Sequence, residues 1–240
     1  MVLHLRSLAF NVTFYFWTAI MVFAFVPALL GPARWVVWGQ RQWAAGNMWL
    51  MKVLAGIDVE VRGRERLPDG PMIVASKHQS AWDTFAYHVF LDDPAIVLKK
   101  ELLRLPLYGW YCRKTKMISV DRKGGSTALR AMLRAGREVA AEGRPLLIFP
   151  QGTRTAPGMT LPYQPGTAAF YKDLAVPVVP VALNSGLFWP RRRFLRQPGT
   201  IVIEFLPPID PGLDRKQFTA ELERRIEHGT QVLVDSAEFR

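Results

Sequence analysis

The chain has 240 residues, 50% of them apolar, with 31 Lys and Arg against 20 Asp and Glu, a formal net charge of +11. That length suits one catalytic domain with appendages and a substantial core, and the charge points to anionic partners: nucleic acid, acidic lipid headgroups or an acidic protein. The single cysteine, Cys112, excludes an internal disulfide framework, and no second thiol or histidine cluster stands at metal-ligand spacing, so a metal-free chemistry facing the cytosol is expected.

The first segment is LAFNVTFYFWTAIMVFAFVPALL, residues 8–30, which carries no charge. As a helix it would measure about 35 Å against a hydrocarbon core of about 30 Å. It exceeds the apolar stretch of a cleaved signal peptide, and no small-x-small cleavage site follows Pro27, so membrane retention is expected. The next stretch, RWVVWGQRQWAAGNMWLMKVLAG, predicts a second helix with Trp35, Trp38, Trp49 and Val53 on one side and Arg41 and Lys52 on another. Tryptophan at headgroup depth suits an interfacial helix, and the same pattern suits a helix packed on the domain. Residues 1–56 are therefore expected to form a membrane-embedded anchoring module. Arg6 before the first helix and Arg34 after it leave open whether that helix spans the bilayer or doubles back.

From Ile57 onward short apolar runs recur at MIVAS, AIVL, MISV, LLIF, VPVVPVAL and IVIEFL. Runs of this length between polar or helical stretches predict a largely buried sheet. The clearest intervening helix covers 126–142, with Ser126 as N-cap, Leu129, Met132, Leu133 and Val139 on its apolar face and Gly143 as its stop. A last amphipathic segment, 214–235, sets Phe218, Leu222, Ile226 and Leu233 toward the core. Strands alternating with helices predict an α/β domain over 57–240, a mixed, mostly parallel sheet flanked by helices and preceded by the helical module.

Two stretches carry chemistry. In KHQSAWDT, His78 and Asp83 would diverge by about 140° on one continuous helix, so contact requires a turn between them. Ser80 as N-cap with Asp83 at the third helical position fits a capping box and lets the carboxylate reach back to the imidazole. A histidine oriented by a carboxylate is the general-base half of a catalytic triad, and imidazole titrates near neutrality. The plainer alternative is that Asp83 caps its helix and His78 packs. In FPQGTR, which follows an apolar run, Gly152 permits close approach of a ligand and Arg154 offers a planar fork suited to phosphate. The Gly-Lys-Ser/Thr ending of a P-loop is missing, and a turn with a solvated arginine is the alternative. RRRFLR, residues 191–196, is the densest basic cluster, fit for acidic headgroups, an acidic carrier protein, or plain solvation.

With these stretches in view the chain resembles the glycerolipid acyltransferases, and among them the 1-acyl-glycerol-3-phosphate acyltransferases. KHQSAWD, KKELLRLPLYGW, LIFPQGTR and VPVVPVALNSG match four blocks of that family in order, from about Met72 to Gly186. The resemblance implies transfer of a fatty acyl group from acyl carrier protein or coenzyme A to a lysophospholipid hydroxyl, with no further cofactor, no metal and no nucleic acid. It implies His78 as the base and Asp83 as its orienting partner. It also implies that Arg154, with Gly152, Thr153 and Lys100, holds the acceptor's phosphate and that Pro180 shapes the acyl region. Gln151 departs from the family, which usually has glutamate there; an amide can hydrogen-bond the acceptor's glycerol but cannot act as a base. The expected setting is an anionic membrane, at the cytoplasmic face of a bacterial inner membrane. A different lysolipid acceptor such as lyso-ornithine lipid, an acyl-thioesterase, and a non-catalytic binder of anionic lipid are the alternatives.

Overall fold

The computed structural model describes residues 1–121 and 124–239. In chain order these form α1 (Val2–Ala24), α2 (Ala33–Leu50), β1 (Ile57–Arg62), β2 (Ile73–Ser76), α3 (Asp83–Phe90), β3 (Ala95–Lys99), α4 (Tyr108–Lys114), β4 (Ile118–Val120), α5 (Gly125–Ala141), β5 (Leu146–Ile148), α6 (Pro165–Leu174), β6 (Val178–Leu183), α7 (Ser185–Phe188), β7 (Gly199–Phe205) and α8 (Arg215–Asp235).

The six apolar runs become β2 to β7, and with β1, which has no apolar run, they form one seven-stranded sheet among the described residues, ordered β1-β7-β6-β2-β5-β3-β4. Neighbours are parallel throughout except β6 with β7, which run antiparallel. The central β2, β5 and β6 are buried at every residue, which is why they read as unbroken apolar runs. Edge strand β1 varies along its length. Because β2, β5 and β6 are parallel, their C-terminal ends open along one edge of the sheet, and the loops leaving them meet there.

Successive strand residues alternate between two cores. Val74, Leu147, Val179 and Ile201 face Phe10 of α1, Ala44 of α2 and Trp82, Phe85 and Ala86 at α3. Ile73, Ala75, Leu146, Ile148 and Val178 face Met132 and Val139 of α5, Phe170 of α6 and Phe218, Leu222 and Ile226 of α8. The N-terminal helices therefore share a core with the sheet. The α8 start is a full capping box, with Asp214 accepting from the Gln217 N–H and the Gln217 side chain accepting from Asp214 N–H.

Three boundaries differ from the sequence expectation. Helix α1 begins at Val2, not near Leu8, because Arg6 does not interrupt it: its Nε donates to the Leu54 carbonyl at 2.9 Å. It ends at Ala24, and Pro27 falls in a short 3-10 turn over Val26–Leu30. Helix α5 starts at Gly125 with Gly124 at its cap, so Ser126 lies inside the first turn and contributes no cap hydrogen bond.

The packed reading of α2 is met on one face, and its other face is exposed. Trp43 packs edge-on against Phe85, with ring centroids 5.4 Å apart, while Trp35, Trp38, Trp49 and Val53 are each more than half exposed. On α1 only Ser7, Phe10 and Met21 are buried, and Leu5, Val12, Tyr15, Phe16 and Phe23 are exposed. The basic cluster splits. Arg196 locks α1 to the domain, its Nη2 donating to Asn11 Oδ1 at 2.7 Å and its backbone N–H to Ser7 Oγ at 2.9 Å, with its guanidinium 4.9 Å from the Trp189 ring centroid. Arg192 and Arg193 are exposed.

Candidate active site

Between the end of β2 at Ser76 and the start of α3 at Asp83 the chain must turn, and that turn brings His78 and Asp83 together. His78 Nδ1 lies 2.9 Å from Asp83 Oδ2, and Asp83 is wholly buried. The same oxygen accepts the backbone N–H groups of Gln79 at 2.6 Å and Ser80 at 2.8 Å. The other oxygen, Oδ1, accepts the Ser185 hydroxyl at 2.6 Å. Ser80 Oγ in turn accepts the Trp82 N–H at 2.8 Å. The expected capping box is not formed: the α-helix begins at Asp83 with Trp82 at its cap and no side-chain cap hydrogen bond, and the Ser80–Asp83 and Ser80–Trp82 bonds close the turn before it instead. A carboxylate only accepts, so the assigned proton sits on His78 Nδ1 and the lone pair on Nε2. The ring stacks on Phe149 with centroids 4.1 Å apart.

The loop after β5 carries the second set. Gly152 adopts φ +66, a left-handed conformation that a side chain would strain, and its N–H closes a turn onto the Phe149 carbonyl at 2.8 Å. Three residues on, Thr155 donates its N–H and its hydroxyl to the His78 carbonyl at 2.8 and 3.3 Å, tying this loop to the base. Arg154 is half-buried, and none of the described residues accepts a hydrogen bond from its guanidinium. Burial pulls its pKa below the ordinary arginine value, with Asp83 opposing and nearby Arg191 adding to the fall. An unpaired, partly desolvated guanidinium is poised for an anion. From the end of β6, the Gly186 N–H donates to Gln79 Oε1 at 2.9 Å, an approach in which a Cβ would lie 2.9 Å from Gln79 Cβ.

These groups open on a cleft of about 720 Å³. Its wall carries the polar and charged groups His78, Lys99, Asp121, Gly152, Thr153, Arg154 and Arg191. The rest is mainly apolar and runs under the N-terminal helices, lined by Met21 and Val22 of α1, Val36 and Trp43 of α2, and Ile96, Val97 and Met132. His88 also lines it; burial pushes its pKa down to about 4, so it stands there as a neutral imidazole.

Three sequence expectations are not met in this geometry. Gln151 is 4% exposed and is absent from the cleft wall, because its amide turns inward to Lys77, Thr155 and the Leu161 backbone. Lys100 is exposed and ion-pairs with Asp121 at 3.2 Å, while its neighbour Lys99, the last residue of β3, lines the cleft. Pro180 lies within β6, in register with Ala75, and is not on the wall. Conversely Ser185, Gln79, Thr155 and Lys99 are not singled out by the sequence, and Arg191 only as part of the 191–196 basic cluster. Ser185 and Gly186 carried a usable signal, since they follow an apolar strand at the same sheet edge.

The acyltransferase family profile matches residues 58–184. A Pseudomonas aeruginosa protein named 1-acyl-sn-glycerol-3-phosphate acyltransferase is 37% identical over 187 residues, covering 78% of this chain and 73% of that one. A mouse protein named 1-acyl-sn-glycerol-3-phosphate acyltransferase alpha is 31% identical over 162 residues, and the match covers 66% of this chain and 57% of the mouse protein. In fold, the crystal structure of a Thermotoga maritima 1-acyl-sn-glycerophosphate acyltransferase superposes with a TM-score of 0.78 at 24% identity, over 95% of this chain and 96% of that one. The matched stretch runs from β1 to the end of β6 and holds both the His78–Asp83 turn and the Arg154 loop, and on it the chain belongs to the acyltransferase family.

Proposed function

We propose that the protein transfers a fatty acyl group from a thioester, on acyl carrier protein or coenzyme A, to the sn-2 hydroxyl of 1-acyl-glycerol-3-phosphate, giving phosphatidic acid. The observation that carries this reading is the buried His78–Asp83 pair opening on a mainly apolar cleft whose wall also holds Arg154, a guanidinium with no hydrogen-bond acceptor among the described residues. His78 Nε2 takes the hydroxyl proton as the oxygen attacks the thioester carbonyl carbon, and Asp83 stabilises the imidazolium that forms. The tetrahedral intermediate then collapses, the C–S bond breaks, and the thiolate takes the proton back from His78. Arg154 holds the acceptor's phosphate by its two-pronged face, with Lys99 and Arg191 adding positive charge. The volume and apolar lining suit the acyl chain.

The test is a panel of lysolipids against both thioester donors. Acyl transfer is expected with phosphate-bearing acceptors, and free fatty acid released at the same rate without any acceptor would mark a thioesterase instead. Arg154→Lys keeps the charge and loses the planar fork, so kcat/KM on lysophosphatidate should fall by about tenfold. An equal fall on a phosphate-free lysolipid would make Arg154 structural.

The membrane reading rests on the exposed apolar surface of α1 and α2. We propose that it sits in the cytoplasmic leaflet, with α1 lying against the domain by its Phe10 side. Phe16 and Trp49 are exposed by 66% and 63%, so Phe16→Glu/Trp49→Glu changes the surface and leaves the core alone. Partition to anionic vesicles in a flotation assay should weaken by about tenfold or more with the melting temperature unchanged. Undiminished flotation would move the contact to another face.

A further inference from the structure

Behind the cleft lies a polar cluster that the reaction itself does not use, buried at Lys77, Gln151 and Thr155 and half-buried at Glu227 and Tyr163. Lys77 directly precedes His78, is 2% exposed, and sends its ammonium the other way, into the space between the β5 loop and α8. There it meets Glu227 Oε2 at 2.5 Å and the Met159 carbonyl at 3.1 Å. Glu227 also accepts the Tyr163 hydroxyl at 2.9 Å and the Thr160 hydroxyl at 3.1 Å. Gln151 completes the cluster. With its amide oriented to suit its neighbours, Oε1 lies 3.2 Å from Lys77 Nζ and accepts the Leu161 N–H at 3.1 Å, while Nε2 donates to Thr155 Oγ1 at 3.2 Å.

That arrangement is closed in both hydrogen bonds and charge. An ammonium has three donors, and here they find one carboxylate, one backbone carbonyl and one amide oxygen. One positive and one negative charge cancel, which the buried Lys77 ammonium requires. The amide then relays the hold: Gln151 grips Thr155, and the Thr155 hydroxyl and N–H both hold the His78 carbonyl. The two segments that carry base and phosphate ligand are thereby fixed to one another from behind.

We propose that Glu227, on the C-terminal helix, is a positioning residue that supplies the carboxylate balancing Lys77, and that position 151 is an amide because a second carboxylate there would break that charge balance. Resting on the acyl-transfer reading, this makes Gln151 a spacer between Lys77 and Thr155 and not a ligand of the acceptor.

Q151E sets two carboxylates around one ammonium. The charged and titratable groups facing the pair are Lys77 at the end of β2, Glu223 and Glu227 of α8, and Tyr163 in the loop before α6, whose phenol is held far above its usual range by burial first and then by Glu227 and Glu223. Like charges raise the proton affinity of the carboxyl pair in the folded state above its unfolded value. The variant's handicap should therefore narrow at low pH and grow as pH rises, and E227Q on the same chain should remove it by restoring a single carboxylate.

The experiment follows thermal unfolding and acyl transfer to lysophosphatidate for wild type, Q151E, E227Q and Q151E/E227Q over about pH 6 to 9. The expected result is a Q151E kcat/KM at least about tenfold below wild type at the alkaline end, with the deficit narrowing toward the acid end. The double variant should lie within about threefold of wild type at every pH, with both singles worse. Melting temperatures should follow the same order. Wild-type behaviour of Q151E at all pH, a deficit that does not change with pH, or a double variant no better than the worse single overturns the proposal. Should wild type transfer no acyl group to lysophosphatidate, the acyl-transfer reading fails and the melting temperatures alone still decide the cluster. Should Q151E not fold, a folded double variant sustains the proposal and an unfolded one overturns it.

Discussion

His78→Ala should lower kcat by about 10³-fold or more, at the upper end of what a positioned general base contributes, while the protein stays folded. The structural reasons for survival of the fold are specific. Thr155 binds the His78 backbone carbonyl, which alanine keeps. Asp83 loses one donor and retains three, from Gln79 N–H, Ser80 N–H and the Ser185 hydroxyl, so no carboxylate is left buried without partners. The ring's stacking on Phe149 is lost, a modest packing effect. KM for both substrates should move little, because His78 meets the hydroxyl and not the phosphate or the acyl chain. Steady-state kinetics beside a near-ultraviolet circular dichroism spectrum check this. A folded His78→Ala protein that turns over at the wild-type rate ends the general-base mechanism.

How much of this site the sequence disclosed follows from the range of the interactions. The His78–Asp83 contact is local, closed by a turn whose bonds sit within six positions, so its geometry could be anticipated from Ser80 and Asp83. The strands were equally legible, since total burial of β2, β5 and β6 leaves unbroken apolar runs in the sequence. What the sequence concealed is long-range or depends on single-residue phase. Ser185 reaches Asp83 across 102 positions, and Glu227 lies 150 positions from Lys77. Gln151 stands next but two to Arg154 in the chain yet faces the opposite side, because its amide partners come from elsewhere. Lys99 and Lys100 are adjacent and alike, and only the end of β3 decides which one lines the cleft. The start of α1 was missed for a different reason: a lone Arg6 looked like a flank, but its side chain is spent on the Leu54 carbonyl inside the fold.

Asp83→Asn should be the second largest loss, and smaller than that of His78→Ala. In a serine-protease triad the same change costs about 10⁴ in kcat because the amide selects the wrong imidazole tautomer. Here the oxygen that meets His78 is pinned by two further donors, the backbone N–H groups of Gln79 at 2.6 Å and Ser80 at 2.8 Å. An amide NH₂ cannot face two N–H groups, so the asparagine oxygen must occupy that place and still accept from His78 Nδ1. The amide nitrogen then falls where Oδ1 was, against Ser185 Oγ, and a hydroxyl can turn to accept from it. Orientation and tautomer therefore survive, and what disappears is the negative charge that supports the imidazolium as the proton arrives. That loss alone is expected to lower kcat by about 10²-fold with KM nearly unchanged. Adding Ser185→Ala takes away the acceptor for the amide nitrogen and should deepen the defect. The three variants are compared at saturating donor and acceptor. A fall of less than about fivefold in Asp83→Asn would mean the charge has no part in the chemistry, and a loss equal to that of His78→Ala would mean the backbone N–H groups do not set the tautomer.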